Sequence, residues 1–425
     1  MKVQKPTLKR ELGLFELILS GIGTILGAGI YVLLGKAAGL AGDAVWLSFL
    51  FASVVAALTG ISYMELTSMY PKASAEYIYV KKAFGSRSAF VVGLLVILGL
   101  IIANSTVALG FAGYFSVLFN TPTIPTAIAL VLIFSLVLFI GVKQSVQIVV
   151  FMTIIEVGGL LLTIFIGLPY IGSVNYFEIR NLSGIFEAST LVFFAFLGFE
   201  DIVKLSQETK DPERNIPKAL ILSIMITVVL YILVAISAVS ILGYEALSTS
   251  SAPLADVASV VLGSDVFLVM SIVALFSTAN TSLLMMLGGS RILYGIAESG
   301  SLPHVFSRIH PKRQTPWTAI LAIAVISILF LFIGDITVVA NISNFMIFII
   351  FFVVNISLIR LRYREPDVKR PFKSPINIGR FAVLPALGAI STVFLFSHLS
   401  IEVMIYGSIL LIAGVIISLF SNHNT

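Results

Sequence analysis

The stretch Ser20-Gly21-Ile22-Gly23-Thr24-Ile25-Leu26-Gly27-Ala28-Gly29-Ile30-Tyr31 decides how this chain is read. It lies inside an apolar run that begins near Leu14, yet Gly21, Gly23, Gly27 and Gly29 all fall within it. A glycine in a helix interior costs ~1 kcal/mol against alanine, so four of them need a reason. One reason is close packing, because small residues let membrane helices approach each other. The other is a helix broken at Gly27-Ala28-Gly29, whose freed N–H groups would meet an anionic ligand at a half-helix N-terminus. Spacing alone leaves both readings open.

The surrounding composition says where such a helix sits. The 425 residues are 58% hydrophobic and 11% charged, with a mean hydropathy of +1.08. Soluble domains carry about 25% charged residues, so this chain belongs in a lipid bilayer. Disorder, nucleic-acid binding and a soluble enzyme are excluded on the same ground. A spanning helix needs roughly 20 apolar residues, and the apolar total fills about twelve. The runs are long and unalternated, which makes them helices, since an open sheet leaves its backbone unsatisfied in lipid. Their limits are 14–39, 43–69, 87–119, 125–141, 145–170, 187–206, 216–243, 258–297, 316–334, 337–361, 379–398 and 401–420. Several exceed the required length, so tilts or breaks are expected. The fold class is therefore all-α, polytopic, with about twelve spans.

The charges orient these spans. Of the 26 Lys and Arg residues, 24 fall on one side if the N-terminus is inside. Lys36 and Arg180 alone fall on the other side. One miscounted span would scramble every later loop, so the bias puts both termini in the cytoplasm of a cell (plasma) membrane protein. The net charge of +5 is thus an orientation signal, with no acidic partner implied.

Catalytic chemistry finds little footing. There is no cysteine, hence no thiol nucleophile, disulfide or Cys-ligated metal. The histidines, His304, His310, His398 and His423, are scattered without metal-ligand spacing. An intramembrane enzyme needs convergent groups at one depth, and no Ser/His, paired-Asp or metal set occurs within the spans. No cofactor is called for. A receptor reading finds no signalling domain in the short tails.

Two further features stand out. Span 6 contains Phe193-Phe194-Ala195-Phe196-Leu197-Gly198-Phe199-Glu200-Asp201, where glycine is followed at once by aromatic and acidic residues. Either the two acids reach the inner interface and pair with Lys204, or the span breaks there and its freed carbonyls accept from an ammonium group. Glu156 sits in the apolar span 5, within Thr153-Ile154-Ile155-Glu156-Val157-Gly158-Gly159-Leu160. An acid at that depth marks function by default, against the plainer reading of a carboxyl bonded to a neighbouring helix. Asn104, Ser105 and Thr106 of span 3 either line a pathway or join helices. Glu65 is expected to reach the inner interface, and Lys36 to anchor at the outer one.

The chain resembles the amino acid–polyamine–organocation superfamily of permeases. The resemblance rests on the glycine segment Gly21 to Tyr31 and on the segment Phe194 to Glu200. It continues in Ser206-Gln207-Glu208-Thr209-Lys210-Asp211-Pro212-Glu213-Arg214-Asn215-Ile216-Pro217-Lys218-Ala219. Next come Ser290-Arg291-Ile292-Leu293-Tyr294-Gly295, Ser299-Gly300-Ser301-Leu302-Pro303 and Thr315-Pro316, then Arg370-Pro371-Phe372-Lys373-Ser374-Pro375. These motifs keep the family's order over nearly the whole chain.

The resemblance implies a leucine-transporter-like fold with a 5+5 inverted repeat. Residues 1–13 would be a cytoplasmic tail, 14–170 and 171–375 the repeats, and 376–425 helices 11 and 12 with a short tail. It implies alternating-access transport of a small molecule, an amino acid or related amine. The substrate carboxylate would meet the backbone around Gly27, at Ile25, Ala28 and Gly29. The ammonium would meet carbonyls at Phe194, Ala195 and Leu197, next to Gly198, with Phe194 as an aromatic gate. Some relatives carry a lysine where this chain has Glu156, and that ammonium stands where sodium sits in others. This chain reverses the charge, so a proton at Glu156, or a sodium ion at Glu156, Ser277 and Thr278, becomes the coupling species. An amino acid or polyamine exchanger is the further alternative. The phenyl-rich segment leans toward neutral amino acids.

Overall fold

A computed structural model describes residues 12–420 except 73, 74, 141, 205, 207, 208, 299, 314 and 334. The cations Lys2, Lys5, Lys9 and Arg10, the motif residues Gln207, Glu208 and Ser299, and the side chains of Ala28 and Lys143 lie outside the described residues.

Among the described residues the regular structure is helical apart from one short hairpin and a lone bridge between Leu12 and Thr209. Eight of its helices are long and apolar enough to cross a membrane by length and composition. One of these, Gly29–Met69, has 41 residues. A straight helix of that length would reach roughly 60 Å, about twice the hydrocarbon core. Gly42 turns the chain there at φ 68, through a short 3-10 stretch, Gly42–Ala44. The segment is therefore two crossings, α2 (Ala28–Ala41) and α3 (Val45–Met69). The shorter α1 (Leu14–Ile25) precedes α2 and completes the first crossing.

After α4 (Ala75–Phe84) come α5 (Ser86–Phe119), α6 (Thr123–Ile140) and α7 (Val142–Gly167). The sixth crossing is α8 (Leu182–Val192), a 3-10 turn Phe193–Phe196, and α9 (Asp201–Lys204). Next are α10 (Pro212–Thr249), α11 (Pro253–Leu262), α12 (Ser264–Glu298), α13 (Trp317–Leu331) and α14 (Ile336–Arg364). The hairpin β1 (Asn377–Ile378) and β2 (Phe381–Ala382) leads to α15 (Val383–Phe396) and α16 (Ile401–Phe420), which meet at 117°. Counting the two interrupted crossings once each, the last two helices separately, and leaving out the short α4 and α11 gives twelve crossings among the described residues.

One boundary moves. The eighth span starts at Ser264 and not at residue 258, because Gly263 at φ 91 ends the separate α11. Gly243, at φ 70, likewise kinks α10 near its end. Large apolar side chains such as Phe151, Phe165, Leu136 and Ile409 point out of the bundle, as a lipid-facing surface requires. The buried core is rich in alanine, glycine and serine, which lets the helices pack closely.

Candidate functional site

Two interruptions meet at the centre of the bundle. In the first crossing, Leu26 is extended (φ −62, ψ 130) and Gly27 follows at φ 178, ψ −158, so α1 stops at Ile25 and α2 starts at Ala28. In the sixth, Leu197 is extended (φ −62, ψ 140) and Gly198 stands at φ 106. That positive φ suits only glycine, and the space demands it too: a Cβ on Gly198 would lie 2.5 Å from the Thr24 carbonyl oxygen. A Cβ on Gly29 would overlap Ala195 Cα and stand 2.9 Å from Ala195 N. The two interrupted segments are thus pressed against each other.

Tyr231 of α10 ties them together. Its hydroxyl lies 2.8 Å from the Ile25 carbonyl oxygen and 3.0 Å from that of Ala195, as donor to both. The Phe194 carbonyl accepts from Leu197 N at 3.2 Å. Phe196 packs edge-on against Tyr231, and Phe199 lies against Tyr63 and Phe351. Phe194 and Ala195 are buried. A tyrosine inside an apolar span was a readable signal, but nothing in the sequence said which carbonyls it would reach.

Beneath this contact lies a small cavity open to solvent. It touches the interruptions at Thr24, Leu197 and Gly198, and its lining does not include Ile25, Gly27, Gly29, Phe194 or Ala195. Its sides are apolar: Val96, Leu100 and Ala103 of α5, Met285 of α12, Ile347 of α14. Its other lining is charged, with Glu76, Glu200, Asp201 and Lys204. Asp201 pairs with Lys204 one turn on, while Glu200 folds back to accept from Gly198 N at 3.1 Å. Glu76 accepts from the Tyr63 hydroxyl at 3.2 Å. Burial pushes the Glu76 carboxyl above its usual range, against the pull of Lys204. Sequence depth gave no hint of Glu76, because it sits on the short α4 and is brought in only by folding.

Glu156 lies beside the first interruption. It is fully buried. Ser277 Oγ donates to its Oε1 at 2.5 Å, and among the described residues its Oε2 has no hydrogen-bond partner. Thr278 is buried but bonds back to its own helix, at Ala274 O (2.8 Å) and Leu275 O (3.1 Å). Asn280 joins the cluster: its amide donates to Thr153 Oγ1 at 3.2 Å, and among the described residues its Oδ1 has no hydrogen-bond partner. Thr153 backs the same glycine segment, since a Cβ on Gly23 would run into its hydroxyl. Tyr31 completes the wall by donating to the Glu156 backbone carbonyl at 2.7 Å. Structure therefore joins Glu156 to Ser277 and adds Asn280, which the sequence reading missed.

Other polar residues have structural partners. Asn104 bonds Ser327 and Ser282 at 3.1 and 2.7 Å, and Ser105 reaches Ser327 O at 2.9 Å, so this group joins helices. Glu65 is fully buried, held by Arg362 at 2.5 and 2.9 Å and by Ser374 N at 2.8 Å, with Arg370 at 3.3 Å. Among the described residues no group of three or more His, Asp or Glu side chains could hold a metal ion.

The chain also matches known proteins along most of its length. The sequence model of the amino acid permease family matches residues 12–419. Among individual relatives, the branched-chain amino acid permease BcaP of Bacillus subtilis (strain 168) is 28% identical, across 97% of this chain and 92% of its own length. The methylthioribose transporter of the same bacterium is 28% identical, across 87% and 85%. The vacuolar cationic amino acid transporter 4 of Arabidopsis thaliana is 29% identical, across 85% of this chain and 64% of its own.

Proposed function

Because the chain belongs to the amino acid permease family, and is thus a transporter and not an enzyme, we propose that it moves amino acids by alternating access, coupled to protons through Glu156. One observation carries this reading: two interrupted crossings share the Tyr231 hydroxyl directly above a cavity that reaches Thr24 and Gly198. An amino acid zwitterion offers one charge to each interruption. Its carboxylate suits the N–H groups that open α2, around Gly27, Ala28 and Gly29. Its ammonium suits the carbonyls around Phe194, Ala195 and Leu197. For either to enter, Gly29 and Ala195 must part, with Phe194 moving as the gate. The matching interruptions also support a 5+5 arrangement, with residues 14–170 and 171–375 as the halves.

The cavity leads to the end that bears α4 and most of the Lys and Arg residues. By the charge bias that end is cytoplasmic, both termini are inside, and this conformation faces inward, in a plasma membrane protein.

Coupling rests on the Glu156 carboxyl. A buried carboxylate with Ser277 and Asn280 beside it, and with Oε2 lacking a hydrogen-bond partner among the described residues, costs several kcal/mol unless something neutralises it. A proton on Oε2 does so most simply. Sodium coupling is the second reading, supported by a specific feature: among the described residues Glu156 Oε2 and Asn280 Oδ1 both lack a hydrogen-bond partner, with Ser277 alongside.

The apolar cavity sides favour a neutral amino acid. Thermal-shift measurement across the common amino acids, followed by uptake of the stabilising one into proteoliposomes, tests the substrate. Stabilisation by a neutral amino acid is expected. Stabilisation by arginine or a polyamine alone overturns the neutral assignment, and absence of any uptake overturns transport.

A further inference from the structure

The segment between α14 and α15 contains an apolar and basic surface that the transport site does not use. Asn377 pairs with Ala382 and Ile378 with Phe381, antiparallel, around the turn Gly379-Arg380. Directly paired residues share a face of a hairpin. One face is therefore Asn377 and Ala382, and it docks on the protein: Asn377 is bonded by Arg362, and Ala382 is fully buried. The other face presents Ile378, which is 74% exposed, and Phe381. Ile376, next to it, is exposed as well, and its carbonyl accepts from Val383 N at 3.2 Å, which fixes the hairpin to the first residue of α15. The apolar face thus stands where a membrane crossing begins.

The basic residues of this segment divide into two groups. Arg362 and Arg370 are spent on Glu65. Arg364 donates to the carbonyls of Lys82 and Ala83, and Arg360 lies over the Phe84 ring. Lys369, Lys373 and Arg380 are exposed, and none has an ion-pair partner among the described residues.

We infer that this hairpin is an interfacial wedge for the anionic lipid leaflet: Ile378 and Phe381 enter the acyl boundary while Lys369, Lys373 and Arg380 meet headgroup phosphates. Apolar side chains flanked by cations at a crossing's end suit that boundary and no aqueous surface. Each cation near an anionic surface is worth roughly a fivefold preference, so three give on the order of a hundredfold. The inference rests on the chain being a membrane protein and is independent of substrate or coupling.

The chain has no native cysteine, so Ile378→Cys carries a single nitrobenzoxadiazole label. The full-length protein is reconstituted in phosphatidylcholine, or in an equal mixture with phosphatidylglycerol. Quenching by spin-labelled lipid and resistance to aqueous iodide are expected, with deeper insertion in the anionic mixture. Replacing Lys369, Lys373 and Arg380 together by Gln should abolish the difference between the two lipids without changing the melting temperature. Iodide quenching without lipid quenching in both membranes overturns the wedge. Equal insertion in both lipids, or a triple variant that keeps the difference, overturns the anionic preference.

Discussion

Gly29→Ala tests the contact on which the conformational account depends. A Cβ there overlaps Ala195 Cα and lies 2.9 Å from Ala195 N, backbone atoms that no rotamer change can remove. The interruptions must therefore separate. Overpacking of this kind costs ~1–3 kcal/mol. If Gly29 and Ala195 touch only in the inward-facing state, that cost falls on one conformation, and the equilibrium shifts away from it about 5–150-fold. A reporter is simple to build because the chain contains no cysteine. Leu284 lines the cavity and is partly exposed, so Leu284→Cys gives a sole thiol that reacts from the cavity's open side. In the Gly29→Ala background its reaction with an impermeant reagent from that side should fall, with the melting temperature nearly kept. Unchanged labelling would refute the reasoning, since the contact would then persist in every conformation or cost nothing.

Tyr231→Phe removes the donor shared by the Ile25 and Ala195 carbonyls; leaving buried acceptors unsatisfied costs ~1–3 kcal/mol, and the melting temperature should drop accordingly. Glu65→Gln strands Arg362 and Arg370 in a buried site, a loss of ~3–5 kcal/mol that denaturation in detergent would detect. Gly198→Ala forces a side chain into φ 106 against Thr24 O, and strain of ~1–3 kcal/mol should reduce folded yield and uptake together. An unchanged melting temperature in any of these variants would contradict the corresponding contact.

The spans were legible because lipid imposes one dominant rule, an apolar run long enough to cross. Gly27 and Gly198 stood out because glycine is costly inside a helix, but spacing left close packing and a break both open. Burial of Glu65 was not legible. Its position along span 2 was clear, but its Arg362 and Arg370 partners come from a segment some 300 residues later, and lateral packing leaves no periodic trace. The same limit hid Asn280 and Tyr231, which looked like ordinary small polar or aromatic residues until α12 and α10 were set against the interruptions. The extent of span 8 was misread because α11 is itself apolar, and only the positive φ at Gly263 separates them.

The most direct test of coupling is uptake of a labelled neutral amino acid into proteoliposomes, with pH and sodium gradients imposed separately, for the native protein and Glu156→Gln. With Glu156 as the proton site, acid on the outside drives accumulation by the native protein. The Gln variant, permanently neutral at that position, keeps counterflow but loses the response to pH, and neither protein responds to sodium. A Glu156→Gln variant that accumulates substrate like the native protein under every gradient would contradict the account.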